Sequence, residues 1–239
     1  MRFHAQRCNA ATVGEVLYRF ANVDLSNFYL DLAKDRLYID RFDSVRRVAC
    51  LTVIQHALRT LTMMLAPMVP ALAEEIYEAY PFGLTEERKA PSVFRHTFDE
   101  FPFPAYTLSA SEKERASALR RLRDKVNAEI AKARLGDETF GSSLEFDLHL
   151  QMPRSKETMA MTAAFKDDLA DVMSVASVHI DLVPTEIADA TADDAVEAAT
   201  ITLASSTQCK CPRCRIHRKR DHTIELCDRC EAVLDGVAA

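Results

Sequence analysis

Apolar residues recur along this chain with two different periods, and the change of period divides it into two parts. In the first part the period is three to four residues, the spacing of one buried helical face. One such series predicts a first helix, and its members are Val13, Leu17, Phe20, Leu25, Phe28 and Leu32. A second helix is predicted from about 45 to 65, where prolines at 67 and 70 end it. Residues 81–108, which contain several prolines and aromatic residues, are predicted to form an ordered connecting loop.

The second part begins with a helix and continues with strands. Ser109 and Glu112 have the spacing of a capping box, so a helix is predicted to start beside them. Between Leu144 and Leu150 every second residue is apolar, and this strict alternation predicts a half-buried strand. The remaining predicted elements are a helix near 165–172 and strands near 178–182 and 200–204.

Composition makes this an ordinary globular chain. Its 239 residues, of which 48% are hydrophobic and 28% charged, suffice for one large domain or two small ones. No apolar run reaches the roughly 18 residues of a membrane span, so no membrane partner is expected. The first residues lack the apolar core of a signal peptide. Together with seven cysteines, this predicts an intracellular, reducing environment: the cytoplasm in a bacterium, or a mitochondrion or other organelle in a eukaryote.

Four of the cysteines have the spacing of a metal site. Cys211, Cys214, Cys227 and Cys230 form C-x2-C-x12-C-x2-C, in which each pair can direct two thiolates toward one point. The alternatives are two disulfides or four free thiols, and the spacing favours one Zn²⁺. Four protein ligands leave no open position, so the predicted zinc is structural. Nearby Cys209, His217 and His222 are possible substitute ligands, whereas Cys8 and Cys50 are predicted to be buried small hydrophobic residues.

Charge is unevenly distributed along the chain. The net charge of −6 counts against a nucleic-acid binder. However, the charged residues between 186 and 197 are all acidic, and those between 210 and 220 are all basic. A local basic patch can bind phosphate in an acidic protein, because salt confines fields to about 8–10 Å. The predicted RNA-binding residues of this patch are Lys210, Arg213, Arg215, Arg218, Lys219 and Arg220, with Arg229 beside the second cysteine pair.

Several ordered motifs resemble one family. They are DLSNFYLDLAKDRLY at 24–38, the run RRVACLTVIQHALRTLTMMLAPMVPALAEEIYEAYPF at 46–82, RDKVN at 123–127, GSSLE at 141–145 and the two cysteine pairs. Together they are similar to the C-terminal anticodon-binding region of isoleucyl-tRNA synthetases. The resemblance implies a mainly α fold: an anticodon-binding helical bundle, then a small α/β unit, then a C-terminal zinc knuckle that helps to engage the tRNA.

The expected domain boundaries combine this resemblance with the apolar periods. Residues 1–108 would form the helical bundle, and 109–185 a basic helix with a small α/β subdomain. Residues 186–198 would form an acidic linker, and 199–239 the zinc-binding module. The family often has an aromatic residue directly after the first cysteine pair, where Arg215 stands here. An arginine contact then replaces base stacking, or that detail of recognition is lost.

Two further basic groups have alternative interpretations. Lys34 and Arg36 either contact the tRNA backbone or pair with Asp31 and Asp35 as a structural cluster. The helix that follows Ser109 has a basic surface that either binds RNA or is a solvated face; it is formed by Arg120, Arg121, Arg123, Lys125, Lys132 and Arg134. Isolated His56 and His96 are assigned to packing or surface contacts.

The family's catalytic signatures are missing from these residues. No His-Ile-Gly-His-like or Lys-Met-Ser-Lys-Ser-like motif occurs, and five glycines form no phosphate-binding loop. We therefore expect this chain alone to be inactive, with ATP used only by a catalytic domain elsewhere. The expected partners are isoleucine tRNA and the catalytic and editing domains of a full-length, monomeric enzyme. The alternative is a free-standing RNA-binding or interaction protein derived from a synthetase.

Overall fold

The computed structural model describes residues 10–80, 82, 90–97, 108–136, 142–166, 168–184, 191–219 and 225–236. Backbone proximity separates the chain into two units, Met1–Thr107 and Leu108–Ala239. The first unit is helical in its described part, and the second combines helices with a small sheet and the cysteine-rich segment. The predicted fold class, mainly α with a small α/β unit and a cysteine cluster, is confirmed.

The first predicted helix is a continuous helical run with a change of geometry inside it. It consists of α1 (Ala10–Arg19), a π-helical segment (Phe20–Leu30) and α2 (Asp31–Tyr38). Val13 and Leu17 are buried, as the period predicted. The later members of the series are only half-buried: Phe20, Leu25, Phe28 and Leu32. The wider π-helical turns, closed by i→i+5 bonds, do not place residues spaced by three and four on one face. The prediction of a single buried face is therefore wrong beyond α1.

The second predicted helix has the expected bounds. It is α3 (Val45–Leu65), which the Ser44 hydroxyl caps by accepting the Arg47 N–H at 3.1 Å. Pro70 opens the next helix, α4 (Pro70–Ala79), where its missing N–H costs no helical bond. Helix α3 is long and apolar enough to cross a membrane, whereas the length of apolar runs in the sequence predicted no such segment. Core helices of other proteins meet the same criterion. The absence of a membrane partner stays a prediction.

A core beneath α4 includes part of the predicted connecting loop. Tyr77, Phe82 and Val93 are almost fully buried, and the rings of Tyr77 and Phe82 meet edge to face at 5.0 Å. The Tyr77 hydroxyl lies 2.8 Å from Nε2 of His96, which confirms a packing role for that histidine. Likewise His56 Nδ1 lies 2.8 Å from the Arg59 guanidinium. The rest of the loop lies outside the described residues.

The second unit is built on a long helix and a three-stranded sheet. Helix α5 (Ala110–Gly136) starts with the predicted capping box: Ser109 N–H donates to Glu112 at 2.8 Å, and Glu112 N–H to the Ser109 hydroxyl at 3.2 Å. The sheet order is β2–β1–β3, with β1 parallel to β2 and antiparallel to β3. Its strands are β1 (Phe146–Pro153), β2 (Ser177–Val183) and β3 (Thr200–Ser205).

Burial in the sheet follows the predicted alternation. Phe146, Leu148, Leu150 and Met152 are buried on one face of β1, and His149 and Gln151 are exposed on the other. Leu144, predicted to begin the strand, lies instead in a short 3-10 turn (Ser143–Glu145). The predicted helix near 165–172 is two helices, α6 (Lys156–Phe165) and α7 (Leu169–Met173), both between β1 and β2.

The predicted acidic linker contains a packed helix. Residues Ala192–Glu197 form α8, capped by a reciprocal Thr191–Asp194 capping box. Its small apolar residues, Ala192, Ala195 and Val196, are buried. This part of the linker prediction is wrong. It relied on the number of acidic residues and overlooked the helical spacing of Ala192, Ala195 and Val196. Hydrogen bonds from Thr191 to the Asp194 carboxylate hold the pKa of Asp194 below its ordinary value. The bond from the hydroxyl has the larger effect and the bond from the backbone N–H the smaller.

Candidate metal centre and basic surroundings

The first cysteine pair lies in a tight loop between two short strands. Strands β4 (Cys209–Lys210) and β5 (His217–Lys219) pair antiparallel. Between them, Cys211 N–H donates to the Ile216 carbonyl at 3.0 Å, and Arg215 N–H to the Cys211 carbonyl at 2.8 Å. Arg215 has φ of 62°, in the left-handed region that an L-residue adopts at a cost. These bonds turn Cys211 and Cys214 toward the same interior point.

The second pair lies at the start of a helix. Cys227 is the N-cap of α9 (Asp228–Asp235), and Cys230 follows in its first turn, where it is fully buried. The Glu231 N–H donates to the Cys227 carbonyl at 3.0 Å. Helical spacing of three residues puts both side chains on one side of the helix start. The two pairs thus approach one point from a strand loop and a helix terminus.

The four sulfur atoms form a compact cluster that can hold a metal ion. All lie within 4.8 Å of one another, and all four residues are buried. Sγ of Cys214 and Sγ of Cys227 are 3.8 Å apart. A tetrahedral site with metal–sulfur bonds of about 2.3 Å requires sulfur–sulfur distances of about 3.8 Å. The four residues are free thiols in the structure, which agrees with a metal site and not with disulfides.

The thiols of the cluster compete for ionisation. Burial raises the pKa of Cys211, but the N–H groups of Cys214, Cys227 and Arg213 together outweigh it and lower the pKa to about 6. Burial raises the pKa of Cys214 and of Cys230, and neighbouring sulfurs add to the effect. Four thiolates cannot share so small a volume without a cation, whereas a bound metal deprotonates its thiol ligands. The donor set therefore suits a soft divalent cation.

Arginine and not a further ligand completes the immediate surroundings. The Arg213 side chain donates to the Cys230 sulfur, which helps to offset the negative charge of a four-thiolate site. Cys209 and His217 lie in β4 and β5 and do not belong to the cluster. His222 lies outside the described residues. No substitute ligand is needed, because the four cysteines already supply a complete tetrahedral set.

The structure distributes the predicted basic patch over different environments. Lys210 and Arg215 are exposed, on the same hairpin as the first cysteine pair. Arg218 is largely covered and forms an ion pair with Asp171 of α7 at 3.3 Å. Arg229 is half-buried at the start of α9. Arg220 and the side chain of Lys219 lie outside what the structure describes.

The earlier basic pair lies on α2. Lys34 Nζ is 3.0 Å from Asp31 Oδ1, and both side chains are solvent-exposed, which is the local ion pair of the structural interpretation. Arg36 is half-buried, and its charge acts on the nearby Tyr29 phenol. Tyr29 also donates to Cys50 Sγ at 3.6 Å, and Cys50 is buried, as predicted. An RNA contact at Lys34 or Arg36 stays a prediction.

The basic face of α5 makes contacts within its own unit. Arg123 is buried and donates to the Val172 carbonyl at 2.9 Å. Lys125 donates to the carbonyls of Val196 and Glu197 at 2.9 and 2.8 Å. Arg121 pairs with Asp193, and Lys132 pairs with Glu129 at 2.7 Å. The acids of α8 thus meet the bases of α5, which favours a structural role for this face over RNA binding.

Sequence reasoning missed a cleft beside the cysteine cluster. It has a volume of about 370 Å³, within the usual range of ligand pockets, and is open to solvent. Its lining residues are Ala176, Ser177, Gln208, Arg218, Cys227, Asp228 and Arg229. They come from the start of β2, the approach to β4, strand β5 and the start of α9. Only the folded chain brings them together, so no local pattern could have identified the cleft.

Comparison with known proteins assigns a family to this architecture. The family model described as the anticodon-binding domain of tRNA ligase matches residues 2–145, more than half of the chain. The chain belongs to this family. The match covers the first unit and, in the second unit, extends through α5 to the start of the sheet.

Similarity to individual proteins extends over more than nine-tenths of the chain. An isoleucine–tRNA ligase of Synechococcus sp. is 31% identical over 236 residues, which cover 93% of this chain and 24% of that protein. The isoleucine–tRNA ligase of Brevibacillus brevis is 32% identical over 230 residues, 94% of this chain and 23% of the relative. That of Gloeobacter violaceus is 33% identical over 233 residues, 93% and 22% respectively.

The chain spans about a quarter of the length of these curated relatives. It is similar to the C-terminal, anticodon-binding part of isoleucine–tRNA ligases, as the sequence motifs indicated. The reaction for which these relatives are named belongs to proteins about four times as long as this chain.

Proposed function

We propose that this chain is the tRNA-binding part of an isoleucine–tRNA ligase and recognises the anticodon region of isoleucine tRNA. The observation that carries the proposal is similarity over 93% of the chain to proteins of that name, with the anticodon-binding family covering residues 2–145. Activation of isoleucine with ATP and its transfer to tRNA would take place in a catalytic domain outside these 239 residues. An editing domain would be separate as well.

We propose further that the metal is one structural Zn²⁺ held by Cys211, Cys214, Cys227 and Cys230. The support is the buried cluster of four thiols and the 3.8 Å sulfur–sulfur distance, which fits zinc–thiolate bonds. The closed ligand set would give the metal a folding role, because no position is left for water or substrate. The metal would hold the hairpin and the start of α9 in their mutual positions.

Within this module, Lys210 and Arg215 are the proposed phosphate contacts. Both are exposed on the hairpin, whereas Arg213 and Arg218 already contact Cys230 and Asp171. An exposed cation can neutralise a phosphate without breaking an internal ion pair. The other predicted RNA-binding residues, including Lys34 and Arg36, come second to these two.

Titration of isoleucine tRNA into the full chain at several salt concentrations tests this proposal. Lys210→Gln with Arg215→Gln removes two charges and keeps a flexible polar side chain at each position. Loss of two phosphate contacts should weaken binding and reduce the slope of log affinity against log salt by about 1.4–1.8. The charge-matched control is Lys113→Gln with Lys132→Gln, two exposed positions on α5, and it should leave the slope unchanged.

The outcomes separate the site from the function. If the unaltered chain does not bind isoleucine tRNA more tightly than an RNA duplex, the proposed function fails. If it binds but both double variants behave alike, the function stands and the hairpin contacts fail. We also propose an intracellular location, because cysteines that are not joined in disulfides persist in reducing compartments. The monomeric state stays a prediction.

A further inference from the structure

Two histidines form a stacked pair on the exposed face of the sheet. His149 of β1 and His179 of β2 are direct partners in the parallel register, and both are exposed. Their ring centroids are 4.8 Å apart and their planes differ by 18°. The distance between the centroids equals the spacing of about 4.7–4.9 Å between neighbouring strands. The two rings therefore project from the sheet in parallel and stack face to face.

The stack ends at an edge of the sheet. Because the strand order is β2–β1–β3, His179 lies on an edge strand and its outer ring face points away from His149. Among the described residues no further strand pairs with that edge of β2. A flat aromatic group can therefore stack on His179 and extend the column without displacing either histidine.

The next pair along the strands fixes the ring of His179. The Ser177 hydroxyl donates to Asp147 Oδ1 at 2.5 Å, and its oxygen lies 3.2 Å from His179 Nε2. A hydroxyl has one proton to donate. Because the Ser177 proton is donated to Asp147, the Ser177 oxygen accepts a hydrogen bond from His179 Nε2–H. This Asp147–Ser177–His179 chain orients the imidazole before any ligand arrives, which lowers the cost of ordering it on binding.

The same serine connects the histidine pair to the cleft beside the cysteine cluster. Ser177 lines the cleft together with Gln208, Arg218, Asp228 and Arg229. These side chains supply both donors and acceptors, the groups that bind sugar, phosphate and base edges in single-stranded RNA. The stacking face and the hydrogen-bonding cleft thus adjoin at one residue.

We propose that the edge of the sheet at His179 and His149 is a stacking platform for an unpaired nucleobase of the bound tRNA, and that the adjoining nucleotide lies in the cleft. Imidazole is among the rings on which unpaired RNA bases stack, and every base offers a face. The proposal rests on the proposed tRNA-binding function and adds a site in the sheet to it.

Charge at the platform favours a base over a phosphate. The exposed face of β1 and β2 carries Asp147 and Asp181 and no lysine or arginine. A phosphate would be repelled there, whereas an uncharged base contributes stacking that does not depend on net charge. Of the two arginines of the cleft, Arg218 is held by Asp171, so Arg229 is the group that would face the backbone. The contact at His179 should accordingly be insensitive to salt.

The test uses the full chain and two labelled RNAs, the anticodon stem–loop of an isoleucine tRNA and a blunt duplex of equal length. His179→Ala should weaken stem–loop binding by about five- to tenfold, the lower end of the range for one base–aromatic stack, because imidazole is small. The salt slope should not change, because no phosphate contact is lost. Duplex binding should be unaffected.

Two matched variants distinguish stacking from other roles. His179→Tyr keeps a ring but not an imidazole, so it should retain or exceed the original affinity. Thr202→Ala alters the same exposed face on β3, opposite His149, and should have no effect. Unchanged metal content and helicity in every variant would show that the fold is intact.

Three results would overturn the platform. Equal stem–loop binding by His179→Ala and the unaltered chain would do so while leaving the tRNA-binding function in place. Second, if His179→Tyr loses as much affinity as His179→Ala, the imidazole contributes charge and not a stacking face. Third, if both variants lose a second bound metal equivalent, the imidazoles are metal ligands. Failure of the unaltered chain to bind the stem–loop would instead refute the proposed function itself.

Discussion

Removing the metal should unfold the cysteine module, meaning the described residues 209–219 and 225–236, while the sheet and α5 stay folded. Apart from the four cysteines, the buried apolar side chain in this module is Ile216. Its burial is worth about 1.5–3 kcal/mol. A structural zinc site contributes about 10–16 kcal/mol of apparent binding energy. The proposed zinc would therefore dominate the stability of this segment.

Hydrogen exchange measured by mass spectrometry can follow this change in peptides from each part of the chain. The informative amides are those of Cys211, Arg215 and Glu231, whose bonds hold the two cysteine pairs in place. Chelation under reducing conditions should lower their opening free energy by at least about 5 kcal/mol, which is more than a thousandfold faster exchange. Peptides from β1 and α5 should keep their protection, because their cores contain no cysteine ligand.

A pair of cysteine variants supplies the control. Cys227→Ser removes a ligand and should abolish stoichiometric metal and the protection of the module together. Cys209→Ser alters a neighbouring cysteine outside the cluster and should preserve both. Protection that survives chelation, or equal metal content in the two variants, would contradict a metal-dependent module.

Three further predictions concern the backbone, the core and catalysis. Arg215→Gly should raise stability by about 0.5–1 kcal/mol in thermal unfolding of the metal-loaded chain, because relief of a left-handed residue (φ of 62°) exceeds the entropy cost of glycine; Arg215→Ala should give no gain. Leu148→Ala, at a fully buried position of β1, should cost about 2–5 kcal/mol in urea denaturation, whereas exposed Gln151→Ala should stay within about 0.5 kcal/mol. The 239 residues alone should show no isoleucine-dependent exchange of pyrophosphate into ATP; exchange that persists in a preparation free of host synthetase would contradict this.

Local patterns identified most elements, because their causes are local. Period-two alternation identified β1, and the spacing of Ser109 and Glu112 identified the start of α5. Cysteine spacing identified the four-cysteine cluster, because each C-x2-C pair is fixed by a few consecutive backbone bonds. Where the determining interaction joins neighbours in sequence, the sequence was sufficient.

The remaining features depend on contacts between distant residues. The ion pair of Arg218 with Asp171 spans 47 positions and gives a predicted RNA-binding residue an internal partner. The stacking of His149 on His179 requires the register of two parallel strands, which no single strand reveals. The helical segment Phe20–Leu30 has π geometry although its apolar spacing is that of an α-helix. Register and tertiary pairing are the information that periodicity lacks.

The distribution of charge determines what kind of RNA binding this chain can support. Acids outnumber bases by 36 to 30, and several bases of α5 are held by acids or carbonyls of the same unit. Among the described bases of the cysteine module, Lys210 and Arg215 are the exposed ones. These two described cations neutralise about two phosphates, and so small a number gives little electrostatic affinity at any salt concentration. Binding at physiological salt then has to depend on contacts that salt does not weaken, such as base stacking and hydrogen bonds to unpaired bases. That requirement directs recognition toward an unpaired loop and away from duplex RNA, which is the selectivity an anticodon-binding chain needs.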